Sequence, residues 1–233
     1  MRPRLSSVWL AGLAIGLLSA IPASVRGQEI EPPYGEISGI VVDQNAQPVP
    51  GVEVTADDSG GRAHVGPVPR CESDARGHFT LVSVRPGDVI IHTAKQQDGY
   101  VDTQWGAVFD TPERLTSVTV LEGQHVSQVV VRIGPPVGVV SGVVLTPEGK
   151  PLPARIEVMR EDIPEAFLSM GANEHGEFVL ALPPVPYTLR VEAPGYEPWS
   201  SESDVAQVPA HHIVVMPGER LSLRIALQPD HER

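Results

Sequence analysis

The chain has 233 residues, 17 of them basic and 29 acidic, for a net charge of −12, so it lacks the basic face that nucleic acid or an anionic membrane surface demands. Its 22 glycines and 24 prolines make up about a fifth of the chain, a turn-rich globular composition rather than a disordered one. The single cysteine, Cys71, excludes an intramolecular disulfide framework and any zinc site built on several thiolates.

The N-terminus reads as an export signal. Arg2 and Arg4 precede an uncharged stretch from Val8 to Ile21, shorter than the roughly 20 residues of a spanning helix and of the size of a secretory h-region. Pro22 ends that stretch, and cleavage after Gly27, or alternatively after Ala23, leaves a mature chain beginning near Gln28. Residues 1–27 contain three arginines and no acid, so their removal takes the net charge from −12 to −15. No later stretch is apolar enough to span a bilayer, which predicts a periplasmic, cell-surface or extracellular protein with no membrane span after signal cleavage.

From residue 35 onward the chain repeats itself. Ile37-Ser38-Gly39-Ile40-Val41-Val42, Pro48-Val49-Pro50 and Val52-Glu53-Val54 recur as Val140-Ser141-Gly142-Val143-Val144-Leu145, Pro151-Leu152-Pro153 and Ile156-Glu157-Val158. Gly77-His78-Phe79-Thr80-Leu81 then matches Gly176-Glu177-Phe178-Val179-Leu180, and Gly99-Tyr100 matches Gly195-Tyr196. A self-similarity of this kind is read before any single element, because missing it mis-assigns the architecture. It predicts two modules, residues 35–134 and 138–229, joined through Gly134-Pro135-Pro136-Val137-Gly138, whose prolines favour an extended link.

Within each module the apolar period is two, the signature of strands with one buried face. Val52 and Val54, Phe79 and Leu81, the set Tyr187, Leu189, Val191 and Ala193, and the set Leu221, Leu223, Ile225 and Leu227 are expected to face inward. The stretch Glu161 to Met170 comes nearest to an amphipathic helix, but Pro164 interrupts it and it reads as an irregular inter-strand segment. Asp74-Ala75-Arg76-Gly77 and Asn173-Glu174-His175-Gly176 place a turn-forming Asp or Asn before a glycine, as tight hairpins require. About seven short strands per module predict an all-β chain of two tandem antiparallel β-sandwiches, transthyretin-like or immunoglobulin-like, after a signal peptide.

At these residues each module resembles the carboxypeptidase regulatory-like domain, a transthyretin-like seven-stranded sandwich. The apolar-x-Gly-x-Val opening stands at Ile37 to Val41 and Val140 to Val144, and the hairpin at Ser73 to Phe79 and Ala172 to Phe178. Both modules depart at the family's Leu-Pro-x-Gly-x-Tyr turn, where one has Pro86-Gly87-Asp88-Val89 and the other Val185-Pro186-Tyr187. The resemblance implies an accessory module of the kind attached to peptidases, envelope receptors or carbohydrate-active proteins, and no companion domain accompanies it here.

Catalytic patterns are sparse. None of the eight histidines has a glutamate three residues on, and neither His-Glu-x-x-His nor Gly-x-Ser-x-Gly occurs. The pair His211-His212 would point its rings to opposite faces of a strand, and Asp57-Asp58-Ser59-Gly60-Gly61 lacks the spacing of a calcium loop, so no metal and no cofactor is expected. A hydrolase remains conceivable only as a dispersed Ser/His/Asp site. Candidate binding residues are the connection aromatics Tyr100, Trp105 and Phe109, with Tyr196 and Trp199 in the corresponding stretch of the second module. Set among Asp102, Gln104, Glu197 and Ser200, such rings either stack on a sugar or anchor a protein partner, or they cap the open ends of the sandwiches. Tyr100 and Tyr196 coincide with the Gly-Tyr of the resembled family, which implies a structural role. Cys71 either bonds another chain or is buried as a small hydrophobe. The sequence therefore predicts a non-enzymatic binding or scaffold module, with a carbohydrate-binding protein as the alternative.

Overall fold

The computed structural model describes residues 33–58, 68–105, 115–163, 167–202 and 212–230. The expected signal peptide and Phe109 lie outside them. Seven strands, β1 Gly35–Val42, β2 Glu53–Asp58, β3 Arg70–Glu72, β4 His78–Val84, β5 Gly87–Ala94, β6 Thr116–Val120 and β7 His125–Arg132, form two sheets ordered β4-β1-β7 and β3-β2-β5-β6. Seven more, β8 Gly138–Leu145, β9 Arg155–Arg160, β10 Phe167–Gly171, β11 Glu177–Leu182, β12 Tyr187–Glu192, β13 Trp199–Ser200 and β14 Arg220–Ala226, form sheets ordered β11-β8-β14 and β10-β9-β12-β13. Position for position the two strand orders agree throughout, each strand of the second set standing seven places after its counterpart in the first, with β13 beside β12 as β6 is beside β5.

Each pair of sheets closes on its own core. Ile37, Val52, Val54, Phe79, Leu81 and Ile91 fill the first, and Val140, Ile156, Val158, Phe178, Leu180, Tyr187 and Leu189 the second. The alternation predicted along the strands therefore holds, since a slip of one residue would turn every one of these side chains to solvent.

The antiparallel expectation needs correction in one pair per sandwich. Strand β7 runs parallel to β1, and β14 runs parallel to β8. Each arrives after its chain has passed through the opposite sheet, and such a crossover, unlike a hairpin, delivers a strand beside its neighbour in the same direction. A second correction concerns Glu161 to Met170, where Phe167–Gly171 is the regular edge strand β10 and pairs with β9.

Glycine and aromatic residues are locked together at the centre of each sandwich. Gly39 pairs across strands with Phe79, and Gly142 with Phe178. A Cβ on Gly142 would lie 2.3 Å from the Phe178 ring, and one on Gly39 would lie 2.0 Å from the Val129 carbonyl oxygen. The repeated glycine thus makes room for a ring and a close strand approach, a requirement of space rather than of backbone conformation.

The hairpin before each Phe is built alike. One side-chain oxygen of Asp74 accepts the Arg76 and His78 amides at 2.8 Å each, and one of Asn173 accepts the His175 and Glu177 amides at 2.9 Å each. Gly77 and Gly176 follow at φ +75° and +72°, where a side chain would be strained.

The two sandwiches belong to one compact unit. The 3-10 turn Gln96–Asp98 of the first packs on β11 and β8, its Gln97 carbonyl accepts a hydrogen bond from Arg220 at 2.9 Å, and the Gly99 carbonyl accepts one from Val137 N–H at 2.8 Å.

Candidate functional site

The connection after β5 carries the aromatics singled out by the sequence, and the structure shows what holds it. The Thr93 amide donates to Thr103 Oγ1 at 2.7 Å, and the Gln104 amide donates to Asp102 Oδ1 at 2.9 Å. These bonds lay the connection over the outer face of β5. They enclose a cavity of about 100 Å³ lined by Glu53, Asp57, Arg70, His92, Asp102 and Gln104, among others. Burial pushes the Asp102 carboxyl above the ordinary carboxylate range, with Glu53 adding to the rise; the Gln104 amide, the charge of His92 and the Trp105 indole N–H oppose it. An acid-rich groove of this size suits a cationic or hydroxyl-bearing group more than an anion.

The predicted aromatics do not converge on this groove. Trp105 and Val101 reach across to pack on the second core, beside Leu168 and Leu180 to Leu182. Trp199 and Tyr196 also pack on the second core, and Tyr100 packs on the first. All four rings are partly buried. Cys71 is partly buried against the first core, and that burial pushes its thiol upward.

A serine and a histidine do meet. His125 Nε2 lies 2.8 Å from Ser38 Oγ on the neighbouring strand, with Glu36 Oε1 3.5 Å from the same nitrogen. In a catalytic relay the hydroxyl and the acid hold opposite ring nitrogens, so that the acid orients the base. Here both compete for one nitrogen, on an open sheet face.

His92 fares no better as a base, because among the described residues its buried Nδ1 has no hydrogen-bond partner to orient the ring.

In the second sandwich the segment that follows β13 is held to β12 by a serine hydroxyl. The Leu189 amide donates to Ser201 Oγ at 3.1 Å and the Glu202 amide to Ser200 Oγ at 3.2 Å. Glu202 thereby comes over the outer face of β12, where it meets Glu161 and His212. Sequence reasoning missed this group because its members are 41 and 10 residues apart and belong to two connections, one after β9 and one between β13 and β14; the sequence sets His212 only beside its neighbour His211, which lies outside the described residues. Among the described residues no helix is long and apolar enough to cross a membrane.

Residues 139–228 match the family model of the carboxypeptidase regulatory-like domain. No curated protein matches the chain. Solved structures overlap it loosely. The Bacillus anthracis TIE protein has 13% identity and a TM-score of 0.33 over 84% of this chain and 34% of its own. A streptococcal ancillary pilin has 16% identity and a TM-score of 0.36 over 85% and 63%. The shaft pilin SpaA from Lactobacillus rhamnosus GG has 12% identity and a TM-score of 0.30 over 87% and 99%. The chain thus spans about a third of the TIE protein and under two thirds of the ancillary pilin, and likeness at this level carries no functional information.

Proposed function

We propose that this chain, whose residues 139–228 are a carboxypeptidase regulatory-like domain, is an exported, non-enzymatic binding or scaffold protein made of two such modules, residues 35–134 and 138–229, behind a signal peptide at 1–27. The observation that carries the reading is the connection from Gln96 to Trp105. Its turn, Val101 and Trp105 join one sandwich to the other, an arrangement that serves a rigid two-module spacer and uses Trp105 for packing. The misdirected Ser38/His125/Glu36 group and the unoriented His92 support a non-enzymatic role. Regulatory-like domains are accessory modules, which points the same way.

Two assays on the full chain test this. A panel of ester, peptide and glycoside substrates is expected to give no turnover, and pull-down from an envelope extract set beside a glycan array is expected to retain a protein and no glycan. Hydrolysis abolished by Ser38→Ala or His125→Ala would contradict the non-enzymatic reading, and glycan binding abolished by Trp199→Ala would restore the carbohydrate alternative.

A further inference from the structure

We infer that Glu161, Glu202 and His212 bind one divalent transition-metal ion, with the Thr188 hydroxyl as a fourth oxygen donor. The candidate ligand atoms of the three residues lie within 4.8 Å of one another. Two donors each about 2.1 Å from a zinc ion stand at most about 4.2 Å apart, so a small adjustment of exposed side chains completes the set.

The position of the three donors is built by the backbone. The Glu161 amide donates to the Pro186 carbonyl at 3.2 Å, and Ile213 exchanges two hydrogen bonds with Tyr187, of 2.8 and 3.0 Å. Ser200 and Ser201 fix the turn that presents Glu202. Two connections, one after β9 and one between β13 and β14, are thus tied at three points to Pro186, Tyr187 and Leu189 at the start of β12, and they deliver three metal-ligating side chains to the same point.

The buried hydroxyl beneath them gives an independent argument. Thr188 is only 5% exposed, and its Oγ1 lies 3.2 Å from Oε1 of both Glu161 and Glu202. A hydroxyl has one proton and satisfies one carboxylate at a time, so the other approach sets two oxygen lone pairs and a full negative charge against each other. The His212 imidazole contacts Glu161. Among the described residues no lysine or arginine pairs with either glutamate; Arg160 is taken up by Asp162, and Arg190 by Glu192. A cation bound by both carboxylates turns the oxygen–oxygen contact into shared coordination. The imidazole decides the class of ion, since nitrogen ligands suit zinc and its neighbours while calcium and magnesium take oxygen alone.

The test is calorimetric titration of the EDTA-washed full chain with Zn²⁺. One ion should bind per chain and raise the melting temperature by mass action. Glu202→Gln and His212→Ala should each weaken binding at least about tenfold, no less than the loss typical of outer-shell partners, whereas Gln104→Ala, over β5 in the first sandwich, should leave it unchanged. Both mutated ligands are exposed, so the metal-free variants should keep the wild-type far-ultraviolet spectrum. Absence of zinc binding, binding that survives both substitutions, or calcium binding as tight as zinc would overturn the inference.

Discussion

In the first sandwich a threonine hydroxyl, Thr103, receives the amide of Thr93 and brings Gln104 over β5; in the second a serine, Ser201, receives the amide of Leu189 and brings Glu202 over β12. The sheets share one strand order, and the contents of the connections differ. Over β5 lie Asp102, Gln104 and the unpartnered edge of His92, around a cavity. Over β12 lie two glutamates and a histidine, closed upon a buried threonine. The connections differ in reach as well, since the first extends Trp105 onto its neighbour's core while Trp199 stays within its own. The comparison teaches that sheets of one strand order can carry different connections, and that a few side chains then decide whether the place is a groove, a cluster of two glutamates and a histidine, or a joint between sandwiches.

The largest effects should come from what the two sandwiches share. Phe79→Ala and Phe178→Ala each remove a buried ring and should cost about 3 to 5 kcal/mol, measured by urea unfolding; a loss below 1 kcal/mol at either would deny that the ring is central to its core. Next come the paired glycines, where the two halves should part. Gly39→Ala sets its Cβ against backbone, the Val129 carbonyl, while Gly142→Ala meets a side-chain ring that has some freedom to tilt. The first substitution should therefore destabilise more, and the reverse order would show that the ring, not the strand approach, sets the limit.

Trp105→Ala should cost about 2 kcal/mol and, unlike Trp199→Ala, should loosen contacts between the sandwiches. Hydrogen exchange resolved along β11 should rise in the Trp105 variant, and an unchanged β11 would deny the joint.

Smaller, and opposite in sign, are the effects of two aspartates on the acid limb of stability. The His78 and Arg76 amides hold the exposed Asp74 carboxyl below its ordinary value of 3.8, so its contribution is present above that value and is lost as pH falls through the depressed one. Asp102 is raised instead, so the folded chain keeps that proton after the unfolded chain has released it, and stability declines as pH rises from the ordinary value through the raised one. Urea midpoints followed from acid to neutral pH should show Asp74→Asn flattening the acid loss, as its counterpart Asn173 needs no charge, and Asp102→Asn flattening the decline. A variant curve parallel to wild type would remove that residue from the account.

Much of the framework was legible in advance because it depends on local pattern. The alternation of Tyr187, Leu189 and Val191, the Asp74 and Asn173 turns and the inward position of Phe79 each follow from residue type and spacing. The parallel pairing of β7 with β1 was not legible, since alternation specifies which face is buried and says nothing of a strand's direction. The aromatics were found but their use was hidden: Trp105 lies in a polar stretch, and only the fold shows Leu180 and Leu182 of the other sandwich within its reach. The cluster over β12 was hidden for the same reason, as Glu161, Glu202 and His212 share no motif and meet only after two connections have closed on one strand.

The most direct test of two cores joined into one body is calorimetry of residues 138–230 beside the full chain. With its own core the isolated second sandwich should unfold cooperatively, but at a lower temperature than within the full chain, because Val101 and Trp105 no longer cover it. A transition at an unchanged temperature would contradict the joint, and the absence of any cooperative transition would contradict the separate cores.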